Sequence, residues 1–131
     1  MGRAEAETLL ELAKQRGALR FGEFKLSAGG TGTYYFDGRL LTLDPEGAHL
    51  VSRALLPILR ECGAEAIAGP TLGADPIVAA VALASYLEGS PIPGLIVRKE
   101  AKHHGGKRAI EGPLVAGTRV AVVDDTCTSG G

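Results

Sequence analysis

The sequence predicts an α/β protein built on a mostly parallel sheet, and three observations support this fold class. After Leu43, segments of helical periodicity alternate with short apolar segments in the order helix, strand, helix, strand, long loop, strand. Glycine, proline and aspartate residues separate the segments. The last segment, Thr118–Val123, has the apolar character expected of a strand that is covered on both faces of a sheet. Alternation of this kind favours parallel strands joined by helices.

The N-terminal part is predicted to be one helix followed by two strands. Ala4–Gln15 carries leucine and alanine residues at helical spacing, and Gly17 follows as a stop signal. Phe21–Leu26 and Thr33–Phe36 contain aromatic and β-branched residues and flank a glycine-rich turn. Both segments are therefore predicted to be short strands.

The longest helix is predicted to begin at Asp44 and to end before Gly63. Asp44 has the residue type of an N-cap, and Pro45 suits the first helical position. The apolar residues that we expect this helix to bury are Val51, Leu55, Ile58 and Leu59.

The rest of the core is predicted from four further segments. A short apolar strand, Ala64–Gly69, leads through a turn at Pro70–Asp75 into an alanine-rich helix at Pro76–Leu87. Gly94–Val97 has the pattern of a short buried strand. The charged, glycine-containing segment Arg98–Gly112, named here the basic loop, precedes the last strand.

Composition fits a single soluble domain in the cytoplasm. The chain has 131 residues, of which 45% are hydrophobic and 22% are charged. A formal net charge of -1 gives no indication of a nucleic-acid or membrane partner. The acidic N-terminal segment does not resemble a signal peptide, and no apolar run is long enough to span a bilayer. Cys62 and Cys127 are far apart and form no CxxC pair, so a zinc site is not expected.

The strongest functional signal is the segment Asp124–Gly131, named here the acidic loop. Two adjacent acids, Asp124 and Asp125, follow an apolar strand and precede a run of hydroxyl residues and glycines. Ligands bind at the carboxyl ends of strands in open α/β folds. The backbone N–H groups and hydroxyls can converge on a phosphate, while the acids suit sugar hydroxyls and water-bound Mg²⁺. The alternative is an ordinary turn after a strand, without a ligand-binding role. A Walker-type phosphate loop is excluded, because the sequence contains no Gly-Lys-Ser/Thr.

The basic loop is the second signal, because it concentrates positive charge in a nearly neutral protein. Lysine and arginine supply permanent charge, and histidine can donate a proton or a hydrogen bond. Such groups can stabilise a highly charged leaving group, of which pyrophosphate is one example. Taken alone, a basic run is also typical of a solvated loop or a nucleic-acid patch.

Together the two loops resemble those of the orotate phosphoribosyltransferases, within the type I phosphoribosyltransferase family. Asp-Asp-Thr-Cys-Thr-Ser-Gly-Gly resembles the family's phosphoribosyl pyrophosphate motif, and Arg-Lys-Glu-x-Lys-x-His-Gly resembles the loop of the orotate-specific members. Phe24–Asp37 resembles the N-terminal hood motif, and Gly69–Pro76 resembles the pyrophosphate loop. Both depart from the usual pattern, since Ser27 and Gly73 stand where many members have lysine. At Gly73, backbone amides would have to replace the lysine.

The resemblance implies specific roles for the residues of these motifs. Catalytic roles fall to Lys102, His104, Asp124 and Asp125, with Mg²⁺ held mainly by substrate and water near the two acids. The residues that would bind phosphoribosyl pyrophosphate are Arg98, Lys99, Lys102, His104, Asp124, Asp125, Thr126, Cys127, Thr128, Ser129, Gly130 and Gly131. The residues assigned to orotate are Lys25, Phe36 and Thr128; ordinary packing is the alternative for Phe36.

The resemblance also implies one phosphoribosyltransferase domain over residues 1–131. The hood would cover about residues 1–40 and the α/β core about residues 41–131, with a C-terminal helix and strands missing. Because the sequence ends where the next helix is expected, we expect an incomplete polypeptide with little activity by itself. The implied partners are phosphoribosyl pyrophosphate, orotate and a second subunit, which would share the basic loop in a homodimer.

Two other functions stay open at this point. A purine phosphoribosyltransferase would share the acidic loop, but the basic loop argues against it. A non-catalytic regulator that senses phosphoribosyl pyrophosphate would commonly carry an added helix-turn-helix, whereas only a short helix precedes the hood here.

Overall fold

A computed structural model describes residues 1–100 and 109–130, which form a two-stranded sheet and a four-stranded α/β core. The elements in chain order are α1 (Arg3–Gln15), β1 (Leu19–Lys25), β2 (Thr31–Phe36), α2 (Arg39–Thr42), α3 (Pro45–Glu61), β3 (Ala66–Pro70), α4 (Asp75–Leu87), β4 (Gly94–Val97), β5 (Ile110–Glu111) and β6 (Val120–Val122). Within the described ranges, no helix combines the length and apolar character needed to cross a membrane.

The core sheet has the strand order β5-β4-β3-β6, with β3 at its centre. β3 runs parallel to both β4 and β6, and only β5 is antiparallel. The predicted mostly parallel sheet is therefore confirmed. Because β3, β4 and β6 point the same way, the loops that follow them all leave from one edge of the sheet.

Two short elements were not predicted. The four-residue helix α2 connects the N-terminal sheet to α3, and the two-residue strand β5 lies inside the predicted basic loop. Elements of this length contain too few residues to show a hydrophobic period, which is why the sequence pattern did not indicate them.

The start of α3 is held by several independent contacts. The side chain of Asp44 accepts a hydrogen bond of 2.9 Å from the backbone N–H of Gly47, so the predicted N-cap is confirmed. Arg16, at the end of α1, donates to the same carboxylate at 2.7 Å. Gly47 packs directly against the backbone carbonyl of Leu41, where a larger residue would not fit. These contacts join α1, α2 and α3.

The buried face of α3 is rotated relative to the prediction. Ser52, Leu56 and Leu59 lie at the centre of that face, while Val51 and Leu55 are partly buried beside it. The prediction for Ile58 was wrong, because its side chain is 44% exposed. Ile58 follows Leu56 by two positions, which places it about 200° around the helix axis and away from the core.

The core lies between the sheet and the helix pair α3 and α4. Its fully buried side chains include Leu56, Ile67 and Val81, while Leu95 is buried in a separate cluster with Ala66 and Ala68. The expectation that the last strand is covered on both faces is not met within the described residues, because Val122 is 73% exposed. The second face of β6 therefore presents apolar surface to solvent in this structure.

The N-cap of α3 gives the first testable prediction. The backbone N–H of Gly47, together with Arg16, holds the pKa of Asp44 below its ordinary value. A lowered carboxyl pKa stabilises the fold above the ordinary value, and this contribution is lost as the pH falls through the lowered one. We expect Asp44→Ala to lower the melting temperature by several degrees at neutral pH, and by less below about pH 4.

Asp44→Asn is the matched control for this prediction, since asparagine keeps an N-cap oxygen without the charge. It should retain more stability than alanine at neutral pH. Thermal denaturation monitored by circular dichroism from pH 3 to pH 8 would measure both differences. A deficit for Asp44→Ala that does not change with pH would contradict the assignment.

Candidate functional site

The candidate site lies where β3, β4 and β6 end. Thr71 N–H, after β3, donates to the carbonyl of Val97 at 3.0 Å, and Val123 N–H, after β6, donates to the carbonyl of Ala68 at 2.8 Å. These bonds extend the parallel pairing up to the loops. A cleft of about 720 Å³ opens at this edge, and Pro70, Val97 and residues 122–130 line it. The acidic loop and the end of β4, where the basic loop begins, thus share one cleft.

The two acids differ in their surroundings. Asp124 is exposed, and one of its carboxylate oxygens accepts the backbone N–H of Asp125 at 2.8 Å. Asp125 is half-buried, and the Thr126 hydroxyl donates to its Oδ1 at 3.4 Å. The ion pairs formed within residues 1–100 and 109–130 include neither acid. The carboxylates therefore face the cleft without a protein counter-charge among those residues.

Two glycines border the carboxylate of Asp125. Gly73 belongs to the turn after β3, and a Cβ atom at this position would overlap Oδ1 of Asp125. Gly38 precedes α2, and a Cβ atom there would lie 3.0 Å from both Cβ and Oδ2 of Asp125. A side chain at Gly73 would therefore occupy the space that the Asp125 carboxylate fills.

The turn between β3 and α4 also offers backbone donors. The N–H groups of Ala74 and Asp75 donate to the carbonyls of Pro70 and Leu72, both at 3.2 Å. Within residues 1–100 and 109–130, the N–H groups of Leu72 and Gly73 have no hydrogen-bond acceptor. These two amides lie just before the N-terminus of α4, where a helix favours negative charge.

Thr71 and Asp75 form a pair that the sequence did not single out. The Thr71 hydroxyl donates to Oδ2 of Asp75 at 2.9 Å, across the turn. Oδ1 of Asp75 is buried and has no partner among the described residues. A hydroxyl and a carboxylate close together at a helix start were the available signal, but hydroxyl and acidic residues are common at helix starts in general.

Arg98 and Lys99, at the start of the basic loop, do not line the acidic cleft. They line a neighbouring cavity of about 540 Å³ together with Thr71, Asp75 and Glu111. Arg98 also forms an ion pair of 3.3 Å with Glu111. The turn after β3 lies between the two cavities, since Pro70 borders one and Thr71 the other. The predicted site residues that lie outside the described residues are Lys102, His104 and Gly131.

The three residues assigned to orotate are not brought together. Thr128 lines the acidic cleft, as do Thr126, Cys127, Ser129 and Gly130. Phe36 borders a smaller, largely apolar cavity of about 210 Å³, which also includes Asp124 and Asp125. Lys25 is exposed at the end of β1, and neither of these cavities includes it.

The acid pair can contribute to a magnesium site but cannot complete one alone. Within residues 1–100 and 109–130, no group of three or more histidine, cysteine or acidic side chains is placed to hold a metal. Mg²⁺ prefers several oxygen ligands and commonly retains water and substrate phosphates. Two adjacent carboxylates without a protein counter-charge fit an ion whose remaining ligands come from substrate and water.

Comparison with known proteins relates the chain to one kind of enzyme. It is 45% identical over 128 residues to the orotate phosphoribosyltransferase of Aquifex aeolicus, covering 96% of the chain and 70% of the relative. It is 50% identical over 123 residues to that of Nostoc sp., covering 93% and 59%. The chain therefore spans only part of the length of these relatives. No protein-family model matches the chain.

Solved structures agree with the sequence comparison. The Mycobacterium tuberculosis orotate phosphoribosyltransferase in complex with Fe(III) dicitrate matches with a TM-score of 0.79 and 38% identity, covering 96% of the chain and 70% of that protein. The complex of the same enzyme with phosphoribosyl pyrophosphate matches with a TM-score of 0.74 and 33% identity, covering 96% and 67%. With the strand order and the acidic loop described above, these matches define a type I phosphoribosyltransferase fold.

Within that class the sequence identity decides the family. An identity of 45% that extends over 70% of a relative is far too extensive to reflect a shared fold alone. The chain belongs to the orotate phosphoribosyltransferase family.

A second prediction follows from the close approach of β3 to β6. A Cβ atom at Gly69 would press against the backbone carbonyl of Val123 and the side chain of Ala74. Gly69→Ala should therefore force the two strands apart and destabilise the fold by about 1–3 kcal/mol. Urea denaturation would measure this loss. Gly2→Ala is the control, because nothing lies within 4 Å of a Cβ atom at Gly2. Equal stability of the two variants would contradict the prediction.

Proposed function

We propose that the protein transfers the 5-phosphoribosyl group from phosphoribosyl pyrophosphate to orotate, giving orotidine 5′-phosphate and pyrophosphate in pyrimidine synthesis. The observation that carries the proposal is the acid pair just after β6, which forms no ion pair among the described residues and shares one cleft with the end of β4. Membership of the family and the phosphoribosyl pyrophosphate complex of a relative support the choice of substrates.

Asp124 and Asp125 would bind the ribose of the donor. An ionised carboxylate only accepts hydrogen bonds, so it suits the 2′- and 3′-hydroxyls and repels a phosphate. Residues 126–130, which line the same cleft, would hold the 5′-phosphate through backbone N–H groups and hydroxyls. Gly131 would extend this set of donors.

The pyrophosphate would be bound beside the acidic cleft, at the turn after β3 and the start of the basic loop. The N–H groups of Leu72 and Gly73 would provide neutral donors at the start of α4. Arg98 and Lys99 would add positive charge, and Lys102 and His104 would complete the charge around the leaving group. For Arg98 this requires breaking its exposed ion pair with Glu111, at a cost of about 1 kcal/mol or less.

The reaction itself requires positioning and charge more than covalent chemistry. N1 of orotate would attack C1 of the ribose as the bond to pyrophosphate breaks, which inverts that carbon. The two acids would fix the sugar, and the cationic residues would stabilise the charge on the departing group. Mg²⁺, when bound with the donor, would neutralise part of the same charge.

Orotate would occupy the region between the N-terminal sheet and the acidic loop. Phe36, which shares a cavity with Asp124 and Asp125, would stack on the flat ring of orotate, and Thr128 lines the adjoining cleft. Lys25 would supply a positive charge for the orotate carboxylate only if the N-terminal sheet moves closer. We assign residues 1–40 to the hood and the following residues to the core of one domain.

The protein would act in the cytoplasm as a homodimer that shares the basic loop. The exposed face of α4 supports a dimer, because Leu83, Tyr86 and Leu87 are 62%, 69% and 76% exposed. Apolar patches of this kind are common at subunit interfaces.

A spectrophotometric assay of orotate consumption, with phosphoribosyl pyrophosphate and Mg²⁺, tests the proposal. We expect Lys102→Ala to lower kcat by about 100-fold or more, because one charge-stabilising group is lost in the transition state. Lys14→Ala is the control, since Lys14 lies on α1 and its ion pair in the described part of the chain is with Glu11. Full activity of Lys102→Ala would contradict the role assigned to the basic loop in catalysis.

The same assay with adenine, guanine and xanthine tests the purine alternative. We expect no consumption of the purines under conditions that consume orotate. Turnover of a purine without turnover of orotate would overturn the proposed function.

A further inference from the structure

The carboxylate of Asp125 lies between two glycines from different parts of the fold. A Cβ atom at Gly73 would overlap Oδ1 and lie 2.7 Å from Cγ, and a Cβ atom at Gly38 would lie 3.0 Å from Oδ2. Gly73 comes from the turn after β3, whereas Gly38 is the buried residue before α2. We call the space between Gly38 and Gly73 the glycine slot.

Neither glycine is required by its backbone conformation. Gly38 has φ −61° and ψ −30°, which are ordinary helical values. Gly73 is not among the glycines with positive φ. Alanine could adopt both conformations, so the local reason for glycine at these positions is the space that the Asp125 side chain occupies.

We propose that Gly38 and Gly73 are positioning residues that hold the Asp125 carboxylate in the orientation needed to bind the ribose of phosphoribosyl pyrophosphate. This inference rests on the proposed function. The atoms that a methyl group at Gly73 would meet first all belong to the Asp125 side chain. At Gly69, in contrast, a methyl group meets the Ala74 side chain and the backbone carbonyl of Val123. A substitution at Gly73 should therefore displace the carboxylate and leave the strands in place.

The slot matters because little else restrains this carboxylate. The Thr126 hydroxyl contacts Oδ1 at 3.4 Å, which is a long hydrogen bond. No arginine or lysine within residues 1–100 and 109–130 pairs with Asp125. A misplacement of about 1 Å can cost about 100-fold in rate at a catalytic site. Steric confinement by two glycines replaces the ion pairs that fix carboxylates elsewhere, and it leaves the oxygens free to accept hydrogen bonds.

The slot also separates the roles of the two acids. Asp124 is exposed, and it is not among the nearest neighbours of a Cβ atom at Gly38 or Gly73. The position of Asp125 thus depends on the turn after β3, the same turn whose free amides are proposed to bind pyrophosphate. Through Gly73, the ribose contact and the pyrophosphate contact are built on one segment.

The first experiment compares Gly73→Ala with the matched control Gly2→Ala. Steady-state kinetics should show a KM for phosphoribosyl pyrophosphate raised by about tenfold or more, with the KM for orotate changed much less. Isothermal titration with phosphoribosyl pyrophosphate and Mg²⁺ should show the same loss of affinity. Gly2→Ala should behave as the unsubstituted protein. Unchanged affinity of Gly73→Ala would overturn the inference.

The second experiment measures, without any substrate, how the effect of Gly73→Ala on stability depends on the Asp125 side chain. Melting temperatures are compared for the unsubstituted protein, Gly73→Ala, Asp125→Ala and the double variant. Removing the Asp125 carboxylate empties the slot, and alanine then lowers the entropy of the unfolded chain. Gly73→Ala should therefore raise the melting temperature in the Asp125→Ala background, and raise it less or lower it in the Asp125 background.

Equal shifts in the two backgrounds would overturn the inference. If Gly73→Ala folds only in the Asp125→Ala background, the inference is supported. The outcomes also separate the two proposals. If the unsubstituted protein does not bind phosphoribosyl pyrophosphate while the melting temperatures show the coupling, the proposed function fails and the structural role of the slot stands.

Discussion

The parallel pairing of β3 with both β4 and β6 is the constraint on which the rest of the structure depends. It brings three loop starts to one edge of the sheet and fixes their spacing through backbone hydrogen bonds that reach Thr71 and Val123. The approach is close enough that Gly69 has no room for a side chain between the strands. Acidic, neutral and basic groups that are distant in sequence thereby become neighbours, with no covalent or metal cross-link among the described residues.

Much of this arrangement was predictable from local chemistry. Asp44 and Pro45 indicated the start of α3, and the acids after a run of valines indicated a ligand-binding strand end. The burial of Ile58 was predicted wrongly, because periodicity gives the spacing of a helical face and leaves its rotation to tertiary packing. The glycine slot could not be predicted, since Gly38 and Gly73 acquire their role only when the fold places Asp125 between them.

The polar and charged groups without partners among the described residues determine which kind of ligand the cleft and the adjoining turn can bind. The carboxylates of Asp124 and Asp125 form no ion pair among the described residues. In the nearby turn, two backbone amides and the buried Oδ1 of Asp75 have no hydrogen-bond partner among those residues. A buried polar group without a hydrogen-bond partner raises the free energy of the folded state. A bound polar ligand would provide these groups with partners. A sugar that carries phosphates at both ends supplies donors for the acids and negative charge for the amides.

A crystal structure of the protein with phosphoribosyl pyrophosphate and Mg²⁺ would test the central claim most directly. Ribose hydroxyls should lie about 2.5–3.0 Å from the carboxylate oxygens of Asp124 and Asp125, with the 5′-phosphate against residues 126–130. Donor bound at another edge of the sheet, or in this cleft with a phosphate against the acid pair, would contradict the account.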